Sequence, residues 1–263
     1  MSGETELRTF IESLKKIDWN DVDMLVVCGA ATPYQVCPGE YLDNAREDVR
    51  GDSERERTNA LANAARAMAC RMDELLYVCN LSSFASRERW RLPEKARVLW
   101  DTGIPAPPEV LRDLVSFKRN LMEHEYVRPP RQRDVRKAIQ LVELFLRSTD
   151  ESVENAIVYA EVLTEPRAAP MPKPGTRTKV DLRKRFRDKY GVLFDFDEQK
   201  ALLMHCQSET GEKYYQTVDF RECQRATVQE LMRQILKAAE EVQPKRETGG
   251  DWKETRHSVL RMM

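Results

Sequence analysis

The feature that most constrains this chain is a change of hydrophobic period at Thr149. Before it, apolar residues recur at three- and four-residue spacing. In the stretch ERERTNALANAARAMACRMDELLYVCNL, which follows Ser53, Leu61, Ala64, Ala65, Met68, Met72, Leu75, Leu76 and Cys79 fall on one side of a helix. Good helix formers at that spacing predict one long amphipathic helix. A shorter helix is expected around 92 to 101. A third opens at the prolines of GIPAPPEVLRDLVSFKRNLMEHEY, with Val110, Leu111, Leu114, Val115, Phe117 and Leu121 inward. Pro129 and Pro130 end it and start the next, RDVRKAIQLVELFLRST, since proline is tolerated in a first helical turn but not in an interior.

After Thr149 the pattern alternates. NAIVYAEVL reads as a strand, and TEPRAAPMPKPGTRTK as an exposed proline-rich connector. YGVLFDF, KALLMHCQ and KYYQTVDF, separated by short polar turns, read as three antiparallel strands. TVQELMRQILKAAEEV then closes the domain as an amphipathic helix. The expected fold class is therefore mainly α: a helical bundle over 53–149, followed by a small α+β domain over 150–243 with antiparallel strands and a C-terminal helix. Residues 1–52 form an N-terminal region. In it a helix spans 4 to 16, and Leu25 to Cys28 are either a short strand or a buried turn before a loop punctuated by Gly29, Pro33, Pro38 and Gly39. Residues 244–263, rich in charge and glycine, read as a mobile tail.

Charged residues make up 33% of the 263, but the formal net charge is only -1, so any basic surface must be local. The six cysteines form no CxxC pair and no zinc-type spacing with histidine, which points to reduced thiols. The N-terminus lacks the apolar core of a signal peptide, and no run of about 18 apolar residues occurs. A cytoplasmic location with no membrane partner is expected. A GxxxxGK phosphate loop is absent, which argues against an NTPase.

The stretch KRNLMEHEY, residues 118 to 126, carries one of three histidines. At about 100° per residue, Asn120 and His124 share a helix face, while Arg119 lies about 140° from His124 and pairs more naturally with Glu123. Within one chain Arg119 and His124 are not a tight pair. Across a two-fold axis, two copies of the helix could bring both residues into one cleft. The competing reading is a solvated face with an Arg119–Glu123 ion pair and a histidine near the helix C-terminal dipole.

Arg119, Asn120 and His124, with four residues between the arginine and the histidine, are followed by Glu125, Tyr126, a proline break and a further apolar helix ending LVELFL. This arrangement resembles the HEPN (higher eukaryotes and prokaryotes nucleotide-binding) superfamily over residues 53–149. The resemblance implies a helical bundle that dimerises through the motif helices and, in many members, a metal-independent endoribonuclease. Its site would be a composite one at the dimer interface, with no metal and no cofactor. His124 from each copy would supply acid and base, Arg119 would hold the phosphate, and Asn120 would orient the imidazole or bind a non-bridging oxygen. Glu123 and Tyr126 would support them. The implied biology is a toxin or antiviral-defence effector with RNA as substrate and itself as partner. The alternative is a non-catalytic HEPN-like scaffold that dimerises or binds nucleotide or RNA, and engages a protein partner or inhibitor through the C-terminal domain.

A second basic feature bears on RNA. Arg177, Lys179, Arg183, Lys184, Arg185, Arg187 and Lys189 fall close together, with Phe186 and Tyr190 among them. Such a run can contact phosphates and stack on unpaired bases. It can equally be a solvated helix salt-paired through Asp181 and Asp188. Asp195, Asp197 and the Glu198-Gln199-Lys200 run are similar to a metal-nuclease signature, but their place between two strands predicts an ordinary turn. His205 is expected at a strand position with no ligand partner, and His257 in the tail.

Overall fold

The computed structural model describes residues 3–17, 23–29, 32–106, 128–163, 189–206, 213–241 and 245–248. The chain divides into two compact units, one made of Met1–Gly29 with Ile157–Met263 and the other of Ala30–Ala156. The first unit is discontinuous. This differs from boundaries at 52/53 and 149/150, and the reason is strand pairing between segments far apart in sequence.

In the first unit, α1 spans Gly3–Lys15 and β1 spans Asp23–Cys28. After the helical unit come β2 (Ile157–Leu163), β3 (Lys189–Asp195), β4 (Lys200–Cys206) and β5 (Lys213–Asp219). A 3-10 turn at Phe220–Glu222, the helix α7 (Arg225–Glu241) and a short β6 (Lys245–Thr248) complete it. The sheet has six strands in the order β5-β4-β3-β2-β1-β6. All neighbours are antiparallel except β1 and β6. The open choice for Leu25 to Cys28 thus resolves as a strand. The tail expectation is corrected at Lys245–Thr248: these residues pair in parallel with Leu25–Cys28, and a strand held by backbone hydrogen bonds needs no apolar pattern of its own.

Cys28 lies opposite Ile157, so the chain leaves the sheet and re-enters it at one place. One face of the sheet packs on α1 and α7. The contact leaves a small crevice lined by Phe10, Leu14, Ala160, Val162, Ile235 and Ala238. The buried positions of α1 (Leu7, Phe10, Ile11, Leu14) and of α7 (Val228, Leu231, Met232, Ile235, Ala238) recur at helical spacing, which is why these segments coil and which face each presents.

The second unit is helical: α2 (Pro38–Asp48), α3 (Glu54–Val78), α4 (Ser82–Glu88), α5 (Leu92–Thr102) and α6 (Gln132–Glu154). Ser53 opens α3 with a capping box: its hydroxyl accepts from the Glu56 amide at 3.2 Å, and its own amide donates to the Glu56 carboxylate at 3.0 Å. The core is built from Leu61, Met68, Met72 and Leu75 of α3 with Val135, Ala138 and Val142 of α6. Gly103, at φ 100°, ends α5 in the left-handed region, and the next amide returns to the Leu99 carbonyl at 3.0 Å. Proline at the start of α2 and α5 fits the first turn, where no amide is required. Among the described residues, no helix is long and apolar enough to cross a membrane.

One side chain ties the two ends of the sheet unit together. The Glu4 carboxylate of α1 accepts from the Gln224 amide at 2.8 Å and from the Thr227 hydroxyl at 2.7 Å, serving the amide end of α7, while Arg8 donates to it at 2.7 Å. Burial works against ionisation here, but the bonds from Thr227, Gln224 and Arg8 outweigh it and hold the carboxyl below its ordinary range. With a folded-state pKa below the unfolded one, the stabilisation is complete above the ordinary carboxylate range and is lost as pH falls through the lowered value. Glu4→Ala is expected to cost about 1–2 kcal/mol at pH 7, as for a lost helix cap. In urea denaturation the gap to wild type should narrow at pH 3.

Candidate functional site

The motif residues Arg119, Asn120, Glu123, His124 and Tyr126 lie outside the described residues, as do Arg177, Lys179, Arg183, Lys184, Arg185 and Arg187. Lys189 is the first residue of β3, opposite Leu163 of β2. The structure does describe the ground on either side of the motif segment. On the N-terminal side, Ile104 and Ala106 are buried just after α5. On the C-terminal side, the Gln132 carboxamide at the start of α6 donates to the Val49 and Gly51 carbonyls at 3.0 and 3.1 Å, fastening α6 to the turn between α2 and α3. The described residues on either side of the segment are therefore packed or hydrogen-bonded within the helical unit.

A cluster of buried and partly buried charge sits on α3. Arg71 and Glu74 are both buried, and the Arg71 guanidinium donates to Asp150 of α6 at 2.5 Å while its Nε stands 3.4 Å from Glu74. Burial raises the Glu74 carboxyl, opposed by Arg71 and by the Thr32 hydroxyl, 3.5 Å away. Alongside, Lys95 of α5 pairs with Asp73, and the Tyr34 hydroxyl donates to the Asp73 carbonyl at 3.3 Å. Burial also pushes the Tyr34 phenol up to about 12 and the Cys70 thiol up to about 11. At neutral pH neither group supplies an anion, so this cluster offers no thiolate or phenolate nucleophile. Its chemistry is that of a clamp between α3, α5 and α6.

These residues were missed in the sequence, although a signal was there. Arg71 stands three residues after Met68 and four before Leu75, on the apolar stripe itself. An arginine at a core position requires carboxylate partners: Glu74, buried one turn on in α3, and Asp150, half-exposed near the end of α6, supply them.

An open polar cleft of about 400 Å³ lies between α2 and α3, lined by Asn44, Glu47, Asp48, Asn59, Asn63 and Arg66. Its polar groups engage one another: Asn63 donates to Asp48 and Arg66 donates to Asn63, each at 2.9 Å.

In the sheet unit, Glu198-Gln199-Lys200 falls in the turn between β3 and β4 and at the start of β4, as expected, with the Glu198 amide donating to Asp195 at 3.2 Å. His205 is a strand residue, with its ring stacked on Tyr190 at 4.7 Å and an interplanar angle of 11°. Burial lowers its pKa, which favours the neutral imidazole. Among the described residues, no group of three or more His, Cys, Asp or Glu side chains is placed to hold a metal ion.

Comparison with protein-family models, with curated proteins and with solved structures finds no match to this chain.

The Arg71 cluster gives a direct test of how the helical unit is held. Arg71→Ala leaves Glu74 buried beside Asp150 with no cation and is expected to cost on the order of 3 kcal/mol. Arg71→Ala/Glu74→Ala should cost less than the sum of the two single changes, as read from denaturant midpoints in a double-mutant cycle.

Proposed function

We propose that this chain is a metal-independent endoribonuclease of HEPN type that cleaves RNA at a composite site formed by two copies. The observation that carries the reading is the Arg119–His124 spacing within Ala30–Ala156, a span whose described residues are helical and are packed or hydrogen-bonded on either side of the motif segment. The structural support is coarse: a mainly helical chain with an antiparallel sheet and a C-terminal helix.

The chemistry follows from the residue types. One His124 takes the proton of the RNA 2′-hydroxyl, and the 2′-oxygen attacks the adjacent phosphorus. The bond to the 5′-oxygen breaks, and the second His124 gives that oxygen its proton. Arg119 from each copy holds the phosphate with paired hydrogen bonds and offsets the charge that builds on it. Asn120 orients the imidazole or binds a non-bridging oxygen, and Glu123 and Tyr126 support the arrangement. The products carry a 2′,3′-cyclic phosphate and a 5′-hydroxyl. The basic run from Arg177 to Lys189 serves as a substrate-holding arm, and the biological setting is a toxin or antiviral-defence effector.

Purified wild type, Arg119→Ala and His124→Ala, incubated with structured and unstructured RNA in excess chelator, test this. Wild type is expected to give cyclic-phosphate ends, with each variant at least about 100-fold slower, the scale of a lost general acid or base. Activity that disappears in chelator overturns the metal-independent mechanism. No cleavage by wild type favours a non-catalytic dimerising scaffold.

A further inference from the structure

The sheet carries a row of aromatic rings that the proposed catalytic site does not use. Tyr190 of β3 lies opposite His205 of β4, and His205 lies opposite Tyr214 of β5, so the three side chains share one face at one end of three adjacent strands. The rings are close as well as aligned. Tyr190 and His205 stack at 4.7 Å, His205 and Tyr214 follow at 6.3 Å and 35°, and Phe10 of α1 meets Tyr190 edge-on at 6.0 Å. Exposure grows along the row, from Phe10 at 7% to Tyr214 at 49%. One end is rooted in the core, and the other offers solvent an aromatic surface whose position is set by the rings behind it.

Basic residues adjoin two of these rings in the sequence. β3 begins Lys189-Tyr190 and β5 begins Lys213-Tyr214, so a lysine precedes each outer tyrosine of the row. Upstream of Tyr190 the sequence is RKRFRDK, residues 183 to 189, with five basic residues to one acid. An aromatic surface whose strand follows a basic run in the sequence suits a polymer that alternates planar bases with phosphates and whose bases are unpaired, because a base inside a duplex has no face to offer.

We infer that Tyr190, His205 and Tyr214 form a stacking platform for unpaired RNA, with Tyr214 receiving a base. The platform rests on the proposed ribonuclease reading only for the identity of the polymer. It narrows the substrate to single-stranded segments and separates holding the strand from cutting it. His205 acts as a neutral spacer in the row. The strand also supplies its own control: Tyr215, 55% exposed, is the next residue of β5 and points to the opposite face.

The test uses the full chain in a His124→Ala background, so that RNA stays intact. Binding of a fluorescent oligouridylate and of a duplex of equal length is followed by anisotropy for Tyr214→Ala, Tyr214→Leu, Tyr214→Phe and Tyr215→Ala, with circular dichroism and light scattering on each. Tyr214→Ala and Tyr214→Leu are expected to weaken single-strand binding by about 5- to 150-fold, the range for one lost base–aromatic stack. Tyr214→Phe should retain it, Tyr215→Ala should change it little, and duplex affinity should not follow the series. The leucine variant keeps an apolar side chain, and circular dichroism matching wild type shows that its loss of binding is not unfolding. Unchanged affinity in Tyr214→Leu, or equal loss in Tyr215→Ala, overturns the platform. A change of oligomeric state with RNA affinity intact overturns it too, and makes the row an interface between copies. Failure of the ribonuclease reading is separable: wild type would then bind the oligomer in a Tyr214-dependent way without cutting it.

Discussion

The pairing of β1 with β2 is the constraint on which the sheet unit depends. These strands are neighbours in the sheet, but the whole of Ala30–Ala156 lies between them in the chain. Compared with a tight hairpin, closing so long a loop spans roughly five doublings of length, or roughly 3 kcal/mol of additional chain entropy. That cost is modest because it grows only with the logarithm of length, and a strand pair with apolar side chains on it offsets it. β6 in turn exists only because β1 is already in place to receive it. Glu4 closes the same unit at its other extremity, holding the first helix of the chain to the start of α7. The sheet unit thus joins consecutive antiparallel strands, β2 to β5, to segments far away in the chain through β1 and Glu4.

The helical unit is held by different means. α3 runs through it as a long helix whose buried stripe is shared by α6, and its buried arginine makes the register of those two helices specific. An all-apolar stripe would tolerate sliding by a turn. A guanidinium that meets Asp150 does not, because a shift takes from the buried Arg71 its one α6 hydrogen bond among the described residues. The same unit holds α6 by Gln132 to the turn after α2 and by the Arg46–Glu143 pair at 2.9 Å. These fastenings lie on the C-terminal side of the motif segment, which makes α6 a fixed reference from which that segment departs.

The elements legible in the sequence were those whose burial pattern is local. α1, α3, α5, α6, α7 and β2 to β5 each carry a period of their own, and their expected ranges fall within a few residues of the observed ones. α2 was hidden because Pro38 and Gly39 look like breakers, though proline belongs in a first helical turn; Leu42 and Ala45 behind it were the better guide. α4 is too short for a period to register, and Asn80, at φ 57°, marks the bend that separates it from α3. The discontinuity of the sheet unit was not legible at all, since pairing between distant strands leaves no mark in either one. Of the candidate site, the Arg119–His124 spacing is a sequence observation alone. The buried Arg71 could have been read from its place on the apolar stripe, and the aromatic row could not, because it exists only in the register of three strands.

The histidine count bears on how the proposed enzyme must work. Transfer through the 2′-oxygen needs one group to remove a proton and another to return one, both titrating near neutrality. The chain has three histidines, and His205 lies stacked on Tyr190, where partial burial favours its neutral form. Only His124 has an arginine at motif spacing. A single copy therefore holds half of an acid–base pair, and in the proposed mechanism the second half comes from another copy. Association then becomes part of catalysis: below the dimer dissociation constant the rate per chain falls with dilution, although every residue needed is present in each chain. The stacking platform inferred above would carry no such requirement, because its three rings come from adjacent strands of one sheet. A dilute chain would still hold a strand that it could not cut.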